Sequence, residues 1–291
     1  MFTKRVVSIS IDGTCVRVLS ASGDSVEKWD SIPFPSHFVA SGGIADPTGL
    51  GRIIRDGLAE RKLSGGKVVC AHSAADSVAR VLRLPRVDAR QLPDIVNREA
   101  RRVTSGSVDS NYVHWQALPP RNGSQRVCMV VVPKRPLAVL LKTFQVAGIK
   151  PSFVDLKPMA LIRAVNKRTA IIANGENTSV DMTIVVDDLP AVIRSVFIGT
   201  DMPSPDYPVD RIGDELLKSL TAYADSQRER PLPSKMPVYL TGGVGGGMAA
   251  ALNVTTLTGR SIGKINPPLR CPPDLPVAEY AVNIGLILRT L

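Results

Sequence analysis

The same strand–turn–strand pattern occurs twice in this chain, about half its length apart. The first copy runs Val6-Val7-Ser8-Ile9-Ser10-Ile11, then Asp12-Gly13, then Thr14-Cys15-Val16-Arg17-Val18-Leu19. The second runs Thr169-Ala170-Ile171-Ile172-Ala173, then Asn174-Gly175-Glu176-Asn177, then Thr178 to Val185. Alternating apolar residues on either side of a glycine-bearing turn are the hairpin signal. Each copy continues through a second polar turn, Gly23-Asp24 or Asp187-Asp188, into a third apolar stretch. A meander repeated at this separation predicts two related lobes, each opening with a hairpin, that face one cleft.

The stretches between the copies read as alternating helices and strands. Asp46 caps a helix with Pro47 at its first position, and Leu50, Ile53, Ile54, Gly57 and Leu58 share one face. Val68 to Ala71 is a short buried strand. From Ser77 the order is strand to Leu84, helix from Asp88, strand at 112–118, turn at 121–124, strand at 126–132 and helix at 137–147. Residues 78–154 therefore read as a compact α+β subdomain inserted in the first lobe. Residues 1–77 and 155–168 make up that lobe, and 169–291 the second.

Composition narrows the function classes. Of 291 residues, 44% are hydrophobic and 21% charged, which is ordinary for a globular chain, and no apolar run approaches the ~20 residues of a membrane span. The N-terminus lacks the apolar core of a signal peptide, so the expected location is the cytoplasm. The net charge of +10 suits an anionic partner, but only 4% of residues are aromatic, too few to stack single-stranded bases. A basic surface near a membrane fits better than base recognition. Cys15, Cys70, Cys128 and Cys271, like the three histidines, are scattered, so neither a disulfide framework nor a metal site is expected.

Val238-Tyr239-Leu240-Thr241 is a strand feeding Gly242-Gly243-Val244-Gly245-Gly246-Gly247 and then a helix from Met248. Backbone N–H groups in such a turn can cradle phosphate, whereas a plain strand-to-helix turn needs the same glycines. The loop lacks the Lys-Ser/Thr ending of a P-loop. Glu215 and Lys218 sit one helical turn apart, either as an i,i+3 surface ion pair or as a ligand pair.

Taken in order, the hairpin, inserted unit, second hairpin, Glu215–Lys218 helix, Gly-Gly strand end and closing helix resemble the actin-like ATPase superfamily, and within it the PilM and FtsA branch. Arg80 to Pro85, Met129 to Lys134, Val146 to Asp155 and Ala281 to Arg289 carry that resemblance. It implies an α/β, actin-like two-lobed fold and a nucleotide cleft touched by Asp12, Gly13, Thr14, Gly175, Glu176, Glu215, Lys218, Gly242 and Gly243, with Arg211 a lesser candidate. Family members place an Asp in each hairpin to hold Mg²⁺ and orient water. Here those positions fall on Ser10 or Ile11 and on Ala173. Asp12, Glu176 and Asp181 are nearby carboxylates, expected to be solvated turn or strand residues. No catalytic or metal-binding residue is assigned, and ATP or ADP binding is expected to be weak.

The resemblance also implies a cytoplasmic scaffold at the inner face of the membrane, assembling a type IV pilus or related secretion platform. Its partner would be a PilN-like inner-membrane protein whose short cytoplasmic tail docks between the first lobe and the insert. Leu82, Leu84, Val96 and Ala100 either border that groove or form core. An active actin-like ATPase, a sugar-kinase-type enzyme and an FtsA-like division tether are the alternatives, and a nucleic-acid binder ranks last.

Overall fold

A computed structural model gives the fold and describes residues 5–63, 65–75, 77–104, 108–121, 123–228 and 230–291. The first meander is β1 (Arg5–Asp12), β2 (Cys15–Ser22) and β3 (Ser25–Pro33). A small ribbon, β4 (Val39–Ala40) with β5 (Gly43–Ile44), leads to α1 (Pro47–Glu60). As the sequence predicts, the Asp46 carboxylate caps α1 by accepting from the Thr48 and Gly49 N–H groups, both at 2.9 Å. Then follow β6 (Lys67–His72), β7 (Val78–Leu84), α2 (Leu92–Val103), β8 (Asn111–Arg121), β9 (Ser124–Pro133), α3 (Lys134–Val146), β10 (Phe153–Leu156) and α4 (Lys157–Val165). The second meander is β11 (Ala170–Gly175), β12 (Ser179–Val186) and β13 (Leu189–Phe197). It is followed by α5 (Tyr207–Ser226), β14 (Val238–Thr241), α6 (Met248–Thr258) and α7 (Ala281–Leu288).

The two meanders nucleate two sheets of matching order, β3-β2-β1-β6-β10 and β13-β12-β11-β14. In each, the hairpin strands are antiparallel and the strand beyond them runs parallel to the first. Strand alternation gives each sheet an outer and an inner face. Val7, Ile9, Val16 and Val18 point outward onto Leu50 and Ile54 of α1 and Leu140 and Phe144 of α3. Ile171, Ala173, Val180 and Met182 point outward onto α5 and α6. The inner faces share one core, in which α4 and α7 lie between the lobes with Ala160, Leu161, Ile284 and Ile287 buried. The two helices cross closely at Gly285, where a Cβ would fall 1.9 Å from the Ala160 carbonyl oxygen. Among the described residues no helix is long and apolar enough to cross a membrane.

The inserted unit has its own sheet, β7-β9-β8, covered on one side by α2 through Leu92, Val96, Ala100, Val127, Met129 and Val131. Two expectations change here. The unit was expected to run to 154 and to include α3. Instead the apolar stripe of α3 packs on α1, and β10 pairs with β6 in the first-lobe sheet, so the separate core is built from residues between 78 and 133. Val96 and Ala100 are fully buried in that core and Leu82 and Leu84 pack against it, so these four are core rather than groove.

Candidate functional site: a charge-filled cleft between the hairpins

The two hairpin turns meet. In the first, Asp12 pairs with Cys15, which leaves a two-residue loop, Gly13-Thr14, with Gly13 at φ +60°. A positive φ at the first loop position suits a tight type II′ hairpin. In the second, β11 continues through Gly175, and the loop is Glu176-Asn177-Thr178. A Cβ on Gly13 would lie 3.6 Å from the Asn177 nitrogen, so the turns are in contact across the lobes.

Buried charges fill the space behind this contact. Arg17 projects from the inner face of β2 and forms two parallel bonds to Glu176 of the other lobe, at 2.9 and 3.0 Å. Its Nε donates to Glu279 at 3.0 Å, and its Nη1 is 3.5 Å from Asp12. Lys157, the first residue of α4, places its ammonium 2.5 Å from Asp12 and 3.3 Å from Asp181, which again joins the lobes. A cation at a helix N-terminus opposes the helix dipole, and the two carboxylates offset that cost. Asp181 also accepts from Ser195 and from Asn174 Nδ2, and Asn174 Oδ1 accepts from Thr241 at 3.0 Å. Asp12, Arg17, Lys157, Glu176 and Asp181 are all buried. Asp12, Glu176 and Asp181 were expected to be solvated. They lie instead on inward-facing strand or turn positions, where the opposite lobe covers them.

The protonation pattern follows from burial and neighbours. Burial pushes the Asp12 carboxyl up, but Lys157 and Arg17 outweigh it and hold the group below its usual value. Lys157 and Arg17 are disfavoured by burial, yet their carboxylate neighbours raise both above their usual values. Four carboxylates face two cations, and the shortfall falls on Glu176, which burial and the nearby Asp12 push up to about 7 against the pull of Arg17. Burial and Lys157 lower His72, at the end of β6, to about 4.

The positions where the resemblance would place aspartates have other work. The Ser10 hydroxyl donates to Asn283 of α7, and Asn283 Nδ2 donates to the carbonyls of Ser8 and Arg17 at 3.1 and 3.0 Å. Ile11 packs toward the outer core, and Ala173 is buried within the outer core of the second lobe. Strand alternation makes Asn174, not Ala173, the residue that faces the cleft, where it supplies an amide in place of a carboxylate.

Every amide N–H of the glycine-rich loop donates within the protein. The N–H groups of Gly242, Val244, Gly245, Gly246 and Gly247 donate to the carbonyls of Ala278, Gly175, Gly175, Gly242 and Val244. The Gly243 N–H donates to Glu176 at 3.3 Å. The glycines are needed for close approach. A Cβ on Gly242 would lie 2.3 Å from the Gly175 carbonyl oxygen, and one on Gly243 2.6 Å from Arg17 Nη2. A cavity of about 320 Å³ beside the loop is lined by Leu240, Ala251, Ile262, Lys264 and Val277 among others, and by none of the cleft charges.

The structure thus brings together Asp12, Gly13, Gly175, Glu176, Gly242 and Gly243. Thr14 is turned toward β3, its carbonyl accepting from the Phe34 N–H. Glu215 and Lys218 belong to a separate cluster: Glu215 is paired with Lys218 and Arg211 at 2.8 Å and with Arg194 at 2.6 Å. Arg17, Lys157, Glu279 and Asn283 were missed. The signal for Arg17 was an arginine alternating with Leu19 and Ala21 on an otherwise apolar strand face. Glu279 carried no local signal.

Matching sheets of this order, a shared pair of helices between them and an α+β unit inserted in the first lobe define the architecture. A chain of the PilM–PilN type IV pilus biogenesis complex superposes with a TM-score of 0.74 at 19% identity, covering 98% of both chains. The fold is the actin-like one. That likeness extends over nearly the whole chain. The cytoplasmic domain of EpsL, an inner-membrane component of the type II secretion system of Vibrio cholerae, aligns with a TM-score of 0.54 at 13% identity over 97% of this chain and 95% of its own. A Bacteroides thetaiotaomicron protein with the actin-like ATPase fold gives 0.52 at 11% identity over 98% and 96%. No family model matches the chain, and no curated protein is similar to it in sequence.

An actin-like cleft would hold a nucleotide and Mg²⁺, and the residues present here do not suit that group. A triphosphate needs free N–H donors and a held cation. This cleft has bonded amides, carboxylates already paired with Arg17 and Lys157, and an excess of negative charge.

Proposed function

We propose that the protein is a cytoplasmic scaffold at the inner face of the membrane in a type IV pilus or related secretion platform. It holds the short cytoplasmic tail of a PilN-like inner-membrane partner. The observation that carries this reading is the full-length likeness to a chain of the PilM–PilN complex, joined by the likeness to the EpsL cytoplasmic domain. The cleft is degenerate, and Arg17 and Lys157 tie the lobes together where other actin-like proteins use nucleotide and metal. The support is the network of buried ion pairs and the bonded glycine loop.

We assign the tail to the face of the insert sheet turned away from α2. Ala79, Val81, Cys128 and Val130 are half-buried there, opposite in strand phase to the core residues Val127, Met129 and Val131. His114 and Gln116 of β8 share this face, so a bound segment meets an apolar strip between β7 and β9 with polar groups beside it. The test is calorimetric titration with the cytoplasmic tail peptide of a PilN-like single-span membrane protein from the same organism. Val81→Asp and Val130→Asp should each weaken binding by at least about tenfold, the effect of losing ~1.4 kcal/mol. Unchanged affinity in both variants would remove the groove assignment, and no binding by the parent protein would remove the partner reading.

A further inference from the structure

The basic residues of the insert are all arginine. Between Arg80 and Arg102 there are seven arginines against three carboxylates and no lysine. All seven arginines are exposed. Among the described residues only Arg102 has an ion-pair partner, Glu99 at 3.6 Å. Two of the three carboxylates are committed locally, since Glu99 faces Arg102 and Asp88 accepts from the Arg90 N–H at 2.9 Å.

Helical spacing aligns Asp94, Asn97, Arg98 and Arg101 along the side of α2 opposite its buried Leu92, Val96 and Ala100, and Arg90 lies in the turn that precedes the helix. A cavity of about 310 Å³ opens on this stripe, lined by Asp94, Asn97, Arg98 and Arg101, so two guanidiniums and an amide border it against the single carboxylate of Asp94, a net positive charge. Trp115 of β8 stands on the same side of the sheet as α2, since it pairs with the core residue Met129, and it is 37% exposed.

We propose that this outer face of the insert binds the headgroups of anionic phospholipids directly, with Arg98 and Arg101 gripping phosphate and Trp115 entering the interfacial layer. Arginine forks match phosphate oxygens, and indole favours the boundary between water and lipid. A face carrying a single exposed tryptophan offers no stacking platform for bases. The contact is separate from the tail groove, which lies on the opposite face of the same sheet, so each can fail without the other.

The experiment is vesicle co-sedimentation of the full chain, without any partner. One set of vesicles is phosphatidylcholine alone and the other contains phosphatidylglycerol. Binding is expected only to the anionic set, weakening as salt shortens the Debye length from about 10 Å at 0.1 M to about 3 Å at 1 M. Arg98→Gln, Arg101→Gln and Arg102→Gln together should lower affinity on the order of a hundredfold, roughly fivefold per charge near the surface. A control with Arg52→Gln, Arg228→Gln and Lys235→Gln, exposed positions outside the insert, should bind as the parent does. In a Trp29→Phe background Trp115 is the sole tryptophan, and its emission should shift to the blue on anionic vesicles. Equal binding to neutral vesicles overturns the proposal, as does full binding by the triple arginine variant or no binding at low salt. Capture of duplex DNA in place of vesicles would overturn it too.

Discussion

Glu176 and Glu215 both have side chains less than a twentieth exposed, and both are paired with arginine. Their partners differ. Arg17 is as buried as the glutamate it holds, and it reaches across the cleft. Arg194 and Lys218, at Glu215, are about half exposed, and all of that cluster lies within the second lobe. Water can take over from a lost partner at Glu215, but not at Glu176. Equal-looking ion pairs therefore contribute very differently: one pair governs how the lobes meet and the other trims a helix surface.

The largest effect should come from Arg17→Met. It leaves Glu176, Glu279 and Asp12 short of a buried cation and should cost about 3–5 kcal/mol in denaturant unfolding. A cost no greater than that of the Glu215 variants would break the comparison.

The next effect is on pH. Glu176 is raised from 4.5 to about 7 in the folded state. Its stabilising contribution is fully present below 4.5 and is lost as pH rises through 7. His72, lowered from 6.5 to about 4, runs the other way, its contribution growing between those values. The two oppose each other up to about pH 6.5, above which only the Glu176 loss remains. Between pH 5 and 8, Glu176→Gln should gain on the parent by up to about 3 kcal/mol, read from melts across that range. Parallel curves would place the proton on another carboxylate.

At the second cluster the changes should be smaller. Glu215→Gln is expected to cost about 1–2 kcal/mol, because a buried acceptor loses its charge but keeps its shape. Lys218→Ala is expected to cost under about 0.5 kcal/mol, as for an exposed pair. A loss of several kcal/mol from either would mean that the Glu215 cluster holds more than a surface.

The smallest effect should be that of nucleotide. Mg²⁺-ATP is expected to leave the melting temperature within about 1 °C, since a ligand stabilises only in proportion to its occupancy of the folded state. No phosphate release above buffer should be detected. A rise of several degrees, abolished by Asp181→Asn, would show a held metal and end the contrast between a filled cleft and a working one.

Much of the architecture was legible because it rests on local signals. The Asp46-Pro47 cap and the alternation of both hairpins were correctly read from neighbouring residues. The end of the insert was misread because strand–helix order looks the same whether α3 packs on β9 or on α1. The cleft was misread for a similar reason. Asp12 and Asp181 look like turn and strand-surface residues until another lobe covers them.

The sequence by itself determined the repeated meanders, the polarity of their strands and the absence of carboxylates at Ser10, Ile11 and Ala173, because period and composition are properties of the chain. Only the tertiary structure decided what replaced those carboxylates. Arg17, Lys157, Glu176 and Glu279 come from four distant segments, and their interaction depends on separations of a few ångströms in a water-poor interior. No spacing along the chain encodes that distance; it exists once α4 and α7 have packed the two sheets together.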